Sequence, residues 1–278
     1  MPELPEVEAA RRLAARVAVG RRLVDVWCAA DPIVVAGVSP SRVRAALRGR
    51  RVRAARRHGK HLWLELDRGP SLLMHFGMTG GLHVPGRPSL RLRSTRGAAP
   101  PGWPPRFVKL RLTFDDGGEL AMADARRLGR IRLREDPRRE PPLAGLGFDA
   151  LLELPPPSRF YALLHERTAP MKALLLDQTF AAGVGNWIAD EVLHQARIDP
   201  RRAARTLTVP EAGRLRRRLR AVLTTAVAAG ADSDRFPRAW LFHRRWDRDP
   251  LARTAGGDRI RWDTIAGRTT AWAPAVQR

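Results

Sequence analysis

The sequence is poor in the residues that build disulfides, zinc sites and membrane spans. Its 278 residues include one cysteine, Cys28, which excludes an internal disulfide and any multi-cysteine zinc site. We find no run of about 18 uncharged apolar residues and no charged-then-apolar leader. These absences argue against a membrane span and against secretion. We therefore expect a cytoplasmic protein, in a bacterium one that works at the nucleoid.

Acidic residues are scarce relative to basic ones. The chain has 51 Lys and Arg against 28 Asp and Glu, a net charge of +23. Such an excess indicates a polyanionic partner, most simply nucleic acid. Only Lys60, Lys109 and Lys172 are lysines, and the bias toward arginine is typical of a GC-rich genome. The apolar content of 44% is enough for real cores and excludes a basic disordered tail.

The first half of the chain changes its hydrophobic period near residue 20. Apolar positions at helical spacing predict a helix over 3–18, and Gly20 follows it. Short alternating stretches over 22–133 predict antiparallel strands, packed as a sandwich. Residues 85–106 hold six prolines and predict a long, exposed and partly mobile loop.

The second half begins helical and ends in short strands. Thr208 and Glu211 form a capping-box pattern ahead of an amphipathic helix that Gly230 closes. Two short apolar stretches around Gly267 predict a hairpin. The fold class is therefore α+β and multidomain. We predict a domain with a helix and a β-sandwich over 1–133 and a linker over 134–150. A helical domain over 151–231 and a hairpin segment over 232–278 follow.

Positive charge is concentrated in two blocks. Residues 42–60 carry eight Arg and one Lys without an acid, and residues 201–220 carry eight Arg against one Glu. Either block alone is typical of a solvated face. Two such blocks in separate domains favour a cleft that neutralises DNA phosphates.

The chain starts with a residue pair that can do carbonyl chemistry. Removal of Met1 leaves Pro2 with a secondary α-amine, and an α-amine titrates near pH 8. Such an amine can attack an aldehydic carbon and form an iminium, while the adjacent Glu3 relays a proton. The alternative is that Pro2 and Glu3 simply begin a helix.

Three motifs together resemble the formamidopyrimidine-DNA glycosylase and endonuclease VIII family. They are MPELPEVEAARR at the start, Gly183-Val184-Gly185-Asn186, and Gly267-Arg268-Thr269-Thr270. The chain is most similar to the plant and fungal type, as in the stretch GVGNWIADEVLHQARIDP over 183–200. The resemblance implies base-excision repair by a bifunctional glycosylase and AP lyase that takes damaged double-stranded DNA.

The resemblance also assigns catalytic roles. Pro2 matches the nucleophile that forms the Schiff base at C1′, Glu3 the acid/base beside it, and Glu6 an acid that orders the lesion pocket. Lys60 matches the proton donor in β-elimination. Arg268 matches the finger arginine that grips the flanking phosphates and is assigned to δ-elimination. The chemistry is consistent, because cations on the leaving phosphates ease their departure.

A base that is flipped out leaves a void that side chains must fill. Met78 and Arg126 match the family's void-filling methionine and arginine. Leu128 stands where the family usually has phenylalanine, so we expect weaker stacking on the opposite base.

The resemblance implies a helix-two-turn-helix over the Gly183–Asn186 region. A glycine-rich turn at a helix start favours an anion. The DNA-binding residues predicted from it are Lys172, Asn186, Arg167 and Arg127.

The usual family finger holds zinc with four cysteines, and residues 232–278 have none. We predict a zincless hairpin finger held by Trp262, Ile265 and Trp272. Neither a metal nor another cofactor is expected, and monomeric action is the simplest expectation.

The segment over 231–238 is short for the loop that covers 8-oxoguanine in bacterial relatives. Hydantoins, formamidopyrimidines and abasic sites are therefore the expected substrates, and 8-oxoguanine a poor one. Two alternatives stay open here: a damaged-DNA-binding protein without chemistry, and an RNA-binding protein with the same helical motif.

Overall fold

The computed structural model describes residues 2–87, 102–246 and 248–278. The chain divides into two compact units, Met1–Gly145 with Gly230–Ser233, and Leu146–Ala229 with Asp234–Arg278. The division falls inside the predicted linker over 134–150. Most of the loop predicted over 85–106 lies outside the described residues.

Over its described residues, the first unit contains two α-helices and two four-stranded antiparallel sheets. One sheet has the strand order β1-β6-β7-β5 and the other β2-β3-β4-β8. The helices are α1 (Leu4–Ala18) and α2 (Pro40–Leu47). The strands are β1 (Leu23–Cys28), β2 (Val52–His58), β3 (His61–Leu66), β4 (Ser71–His75), β5 (Gly81–His83), β6 (Val108–Phe114), β7 (Glu119–Ala123) and β8 (Arg130–Arg134).

One hydrophobic core fills the space between the two sheets. Leu112 and Phe114 of β6 meet Leu64 and Met74 of the other sheet in the same buried cluster. The apolar face of α1 joins it through Val7. Apolar residues from both sheets thus cover each other, the arrangement of a β-sandwich. This confirms the predicted fold class and the predicted N-terminal helix.

Helix α2 is a departure from the expected all-strand region. Ser39 caps it by accepting the backbone N–H of Arg42 at 3.2 Å, and Pro40 occupies its first turn. Val43 and Leu47, four residues apart, are fully buried. Arg42 and Arg44 obscure this short apolar stripe in the sequence pattern.

In the part of it that the structure describes, the second unit contains four α-helices and two small sheets. Strands β9 and β10 are parallel, and β11 and β12 form an antiparallel hairpin. The elements are α3 (Pro157–His165), α4 (Met171–Leu176), α5 (Asn186–Ala196), α6 (Val209–Ala228), β9 (Phe148–Asp149), β10 (Ala181–Ala182), β11 (Arg261–Ile265) and β12 (Arg268–Trp272).

Two local predictions in this unit are confirmed. The backbone N–H of Thr208 donates to the Glu211 carboxylate at 2.8 Å, which completes the capping box of α6. Ala266 and Gly267 join β11 to β12, and both have positive φ, 51° and 69°. Two such residues are what a tight hairpin turn between twisted strands requires.

Candidate active site and nucleic-acid interface

The first residues of α1 form a buried acidic cap. The Glu3 backbone N–H donates to Glu6 Oε2 at 2.9 Å, and the Glu3 side chain accepts the backbone N–H of Glu6 in return. Pro2, Glu3 and Glu6 are all buried. The same hydrogen bonds that begin the helix therefore fix both carboxyls beside Pro2.

Pro2 and Glu6 open onto a cavity of about 440 Å³. The cavity lies between α1 and the segment that includes Phe76, Thr79 and Leu82. Its size is within the usual range for small-molecule sites. Burial, helped by the negative charge of Glu3, raises the pKa of Glu6 to about 7. Near neutral pH the Glu6 carboxyl can therefore hold a proton and donate a hydrogen bond into the cavity.

Lys60 lies in the two-residue turn between β2 and β3, where His58 pairs with His61. The Arg57 guanidinium donates to the carbonyl oxygen of Gly59 at 3.0 Å, directly before Lys60. Arg57 Nε also donates to Glu8 Oε2 at 3.2 Å. Because Glu8 belongs to α1, this buried ion pair ties the turn that carries Lys60 to the helix that begins beside Pro2.

Two partly buried histidines neighbour the same turn. The rings of His61 and His75 lie 4.8 Å apart between centroids. Burial lowers the pKa of His61 to about 3 and that of His75 to about 4, and the positive charge of Lys60 contributes to both shifts. Both rings are therefore neutral at physiological pH, and Lys60 and Arg132 supply the positive charge beside them.

The structure brings together the two loops that carry the predicted void-filling residues. A side chain added at Gly77 would meet the carbonyl carbon of Leu128 at 2.5 Å, so the two backbones touch. Asp124 Oδ1 accepts Thr79 Oγ1 at 3.0 Å and the backbone N–H of Arg126 at 3.2 Å. Its Oδ2 accepts the N–H of Gly129 at 2.6 Å. The buried Asp124 carboxylate thus joins both loops.

The tips of these loops face outward. Met78 is 36% exposed and Leu128 is 39% exposed, unusually high for apolar side chains of this size. Arg126 is exposed as well. An outward apolar and cationic tip on a rigid base can enter a DNA duplex. The three predicted void-filling residues are therefore placed together, although their role stays a prediction.

Arg127 has a partner within the protein. Its guanidinium makes two 3.0 Å hydrogen bonds to the Asp31 carboxylate, which also accepts Lys109 Nζ at 2.9 Å. The Arg127 hydrogen bond holds the pKa of Asp31 well below its usual range. About half of the Arg127 side chain remains exposed, so its contact with DNA stays a prediction.

In the second unit the prediction for Lys172 does not fit the geometry. The Lys172 side chain is 0% exposed and pairs with Asp190 Oδ1, and its Nζ donates to the Asn186 carbonyl at 2.9 Å. A fully buried ammonium that is held by a carboxylate is not available to phosphate. The structure thus corrects Lys172 from a phosphate ligand to a buried structural cation.

Asp190 is the centre of a buried network that sequence reasoning missed. Besides Lys172, it accepts Arg245 Nη2 at 2.6 Å and the backbone N–H of Ala271 at 3.1 Å. Ala271 belongs to β12, so the network connects α4, α5 and the hairpin. The partners lie 18, 55 and 81 residues from Asp190. No local pattern can reveal pairs at such separations.

The start of α5 is tied to the hairpin by a second contact. Asn186 Nδ2 donates to the carbonyl of Thr269 at 2.9 Å. Thr269 directly follows Arg268, whose side chain is exposed at the hairpin turn. Asn186 and Arg268 are therefore brought to one part of this unit. Arg167 lies after α3 with about half of its side chain exposed, 3.7 Å from the Glu166 carboxylate.

The predicted aromatic support of the hairpin is present. Ile265 and Trp272 are buried, and Trp262 packs against the small cluster of Leu241, Ile260 and Ala271. The Trp262 indole N–H donates to the Arg245 carbonyl at 3.0 Å. Aromatic packing and the Asp190 network together hold this hairpin.

Potential metal ligands do not cluster in the described part of the chain. Over 2–87, 102–246 and 248–278, no group of three or more His, Cys, Asp or Glu side chains is arranged to hold a metal ion. Among the helices that the structure describes, none is long and apolar enough to cross a membrane.

Comparison with known proteins decides the family. The profile of the formamidopyrimidine-DNA glycosylase N-terminal domain matches residues 1–131, and that of the corresponding H2TH domain matches residues 146–237. A formamidopyrimidine-DNA glycosylase of Arabidopsis thaliana is 40% identical, over 100% of this chain and 71% of its own length. The chain belongs to the formamidopyrimidine-DNA glycosylase family.

Bacterial relatives and solved structures agree with this assignment. A formamidopyrimidine-DNA glycosylase of Thermus thermophilus is 36% identical over 100% of this chain and 98% of its own length. A crystal structure of the protein from that organism superposes with a TM-score of 0.79, covering 99% of this chain and 98% of that one. The Lactococcus lactis enzyme, solved with DNA that contains an AP site, gives a TM-score of 0.82 at 24% identity over 99% of both chains and supports the fold.

Membership in this family confirms the predicted enzyme class. The protein is a DNA glycosylase and AP lyase of base-excision repair, and its partner is DNA. The two alternatives, a DNA-binding protein without catalysis and an RNA-binding protein, are therefore not supported. The catalytic and DNA-binding roles of the individual site residues stay predictions.

Proposed function

We propose that the protein removes oxidised bases through a Schiff base formed by Pro2 once Met1 has been removed. The observation that carries this proposal is the placement of Pro2. It is buried next to Glu3, directly before the helix that Glu3 and Glu6 cap, and it lines the cavity of about 440 Å³. A secondary amine in that place can meet an extruded nucleoside, with Glu3 within reach as acid and base.

The first step exchanges one bond at C1′ for another. The Pro2 nitrogen forms a bond to C1′ while the glycosidic bond breaks, and the base leaves with a proton supplied through Glu3. Ring opening of the sugar then gives the iminium. Glu6, whose raised pKa keeps a proton available near pH 7, donates a hydrogen bond to the base in the cavity.

The iminium makes the two strand cleavages possible. It acidifies the 2′ hydrogen, and loss of that proton expels the 3′ phosphate in β-elimination, with Lys60 as the proton donor. A second elimination expels the 5′ phosphate, and Arg268 stabilises the charge that develops on it. This chemistry needs neither metal nor another cofactor, because the iminium itself is the electron sink.

The remaining predicted residues hold the DNA. Met78, Arg126 and Leu128 fill the space that the extruded base leaves. Asn186 at the start of α5, Arg167 and Arg127 contact phosphates, as helix starts and guanidinium groups do. We infer a monomer, acting in the compartment that holds the DNA, in a bacterium the cytoplasm.

The lesion preference follows from the short segment over 231–238. It carries only the three-residue 3₁₀ turn Ser233–Arg235 and offers little backbone to enclose a planar purine. We infer that hydantoins, formamidopyrimidines and abasic sites are good substrates and that 8-oxoguanine opposite cytosine is a poor one.

Single-turnover rates on matched duplexes test this inference. The duplexes carry a hydantoin, a formamidopyrimidine, 8-oxoguanine or an abasic site in one sequence. We expect fast processing of all but 8-oxoguanine. Equal rates for 8-oxoguanine and the hydantoin would refute the preference, and the abasic duplex reports the lyase activity independently of base recognition.

A further inference from the structure

Phe107 combines two properties that a structural phenylalanine rarely has. Its side chain is 54% exposed, and its φ is 59°, in the left-handed region. A bulky residue in that region is strained. Little of the ring is buried to offset this strain, since more than half of the residue faces solvent. Such a residue at an exposed turn points to a function outside the folded core.

Phe107 is fixed to the base of a void-filling loop. Its carbonyl accepts the backbone N–H of Asp124 at 3.0 Å. Asp124 is the residue whose carboxylate holds the N–H groups of Arg126 and Gly129. The Phe107 backbone is thus held by the same residue that shapes the loop carrying Leu128.

One side of the Phe107 ring already has a cationic neighbour. The Arg106 guanidinium carbon lies 5.1 Å from the ring centroid, within the range of a cation–π contact. More than half of the side chain still faces solvent. A guanidinium that lies over one face steadies the ring and leaves the other face open to a planar partner.

We propose that Phe107 stacks on the base left unpaired in the strand opposite the lesion. This rests on the proposed void-filling role of the Met78 and Arg126 loops. Extrusion of the damaged nucleotide leaves its partner base without a pair. Leu128, at the tip of the loop, has no aromatic face to offer. Phe107 supplies one from the neighbouring turn, and bases of any sequence stack on aromatic rings.

The decisive variant is Phe107→Gly, which removes the ring and also the backbone strain. Glycine adopts positive φ freely, so the thermal midpoint should stay the same or rise. A loss of binding then cannot come from misfolding. Phe107→Trp keeps an aromatic face, and Trp27→Ala removes a different exposed aromatic, on β1, as the matched control.

Affinity is measured for a duplex that contains a tetrahydrofuran abasic analogue and for the same duplex without damage. We expect Phe107→Gly to bind the abasic duplex about 5- to 100-fold more weakly, the range for one base–aromatic stack. Its affinity for the undamaged duplex should be unchanged. Phe107→Trp and Trp27→Ala should match the wild type on both. With 2-aminopurine opposite the abasic analogue, Phe107→Gly should raise its fluorescence, because the base is no longer stacked.

Two results overturn the proposal. One is wild-type affinity of Phe107→Gly for the abasic duplex. The other is an equal loss on damaged and undamaged DNA, which indicates a general contact with the backbone. Borohydride trapping of the same variant on an abasic site separates this question from the proposed function, since Schiff-base formation requires Pro2 and not the Phe107 ring.

Discussion

Arg57 and Glu8 form a buried ion pair, with Arg57 Nε 3.2 Å from Glu8 Oε2. Glu8 lies on α1, which begins two residues after Pro2. The same guanidinium holds the carbonyl of Gly59 at 3.0 Å. The pair therefore sets the distance between the nucleophile's helix and the turn with Lys60.

Loss of this pair should slow the chemistry more than it weakens DNA binding. In Arg57→Ala we expect single-turnover cleavage of an abasic duplex to fall about a hundredfold, the cost of misplacing a catalytic group by about 1 Å. Stability should fall by about 1–3 kcal/mol, because Glu8 and the Gly59 carbonyl each lose a hydrogen-bond donor while Arg11 and Arg12 still pair with Glu8. The control is Arg56→Ala, whose partner Glu65 lies on an exposed face. Equal effects of the two variants on the rate contradict this account.

Asp124 should couple the two void-filling loops. Asp124→Ala leaves Thr79 Oγ1 and the N–H of Gly129 without their acceptor. We expect about a tenfold loss of affinity for an abasic duplex, equivalent to about 1.4 kcal/mol. Thr79→Val removes only the link between the loops and should have a smaller effect in the same direction. An unchanged affinity in Asp124→Ala shows that the loops do not need this carboxylate.

Asp190 should hold the hairpin in place. Asp190→Asn removes the charge that pairs with Lys172 and Arg245, and breaking a buried pair costs about 3–5 kcal/mol. We expect faster proteolysis within β11 and β12, and a loss of δ-elimination that exceeds the loss of β-elimination. The exposed Asp249, changed to Asn, is the control. Intact resistance to protease in Asp190→Asn contradicts the role of the network.

Glu191 makes stability depend on pH. Burial raises its pKa to about 7, while its carboxylate accepts the N–H of Phe242 at 2.8 Å. Between the unfolded value near 4.5 and about 7, the folded state binds more protons, so rising pH destabilises it. Unfolding free energy of the wild type should therefore fall relative to Glu191→Gln by up to about 1.4 kcal/mol per pH unit across pH 5–7.

The control for this prediction is Glu211→Gln. The hydrogen bond from Arg202 lowers the pKa of Glu211 to about 2, so its contribution changes only below about pH 4.5. The difference in unfolding free energy between Glu211→Gln and the wild type should be constant over pH 5–7. Denaturant titrations at each pH give both differences. A constant difference for Glu191→Gln as well shows that Glu191 does not titrate in this window.

Local patterns in the sequence predicted the helices and the hairpin whose formation depends on residues close together in the chain. Helix α1 follows from apolar spacing, α6 from Thr208 and Glu211, and the hairpin from two short strands around Gly267. Helix α2 was not predicted because its eight residues include two arginines and only three buried residues, Val43, Ala46 and Leu47. Helical stretches this short have weak periodicity.

The candidate site divides in the same way. Pro2, Glu3 and Glu6 are contiguous, and their positions could be read from the sequence. The sequence did not predict that Lys172 is buried and paired, because its partner, Asp190, lies 18 residues away on another helix. Long-range carboxylates of this kind carry no local signature, and they appear only once the helices are packed.

The central claim is that Pro2 is the nucleophile, and borohydride trapping tests it most directly. Untagged protein is incubated with a duplex that carries an abasic site, reduced, digested and analysed by mass spectrometry. We expect a covalent complex with the sugar remnant on the Pro2 nitrogen, greatly reduced trapping and base excision in Pro2→Gly, and unchanged DNA affinity in that variant. A complex that maps to a lysine, or undiminished trapping and excision by Pro2→Gly, would contradict the account.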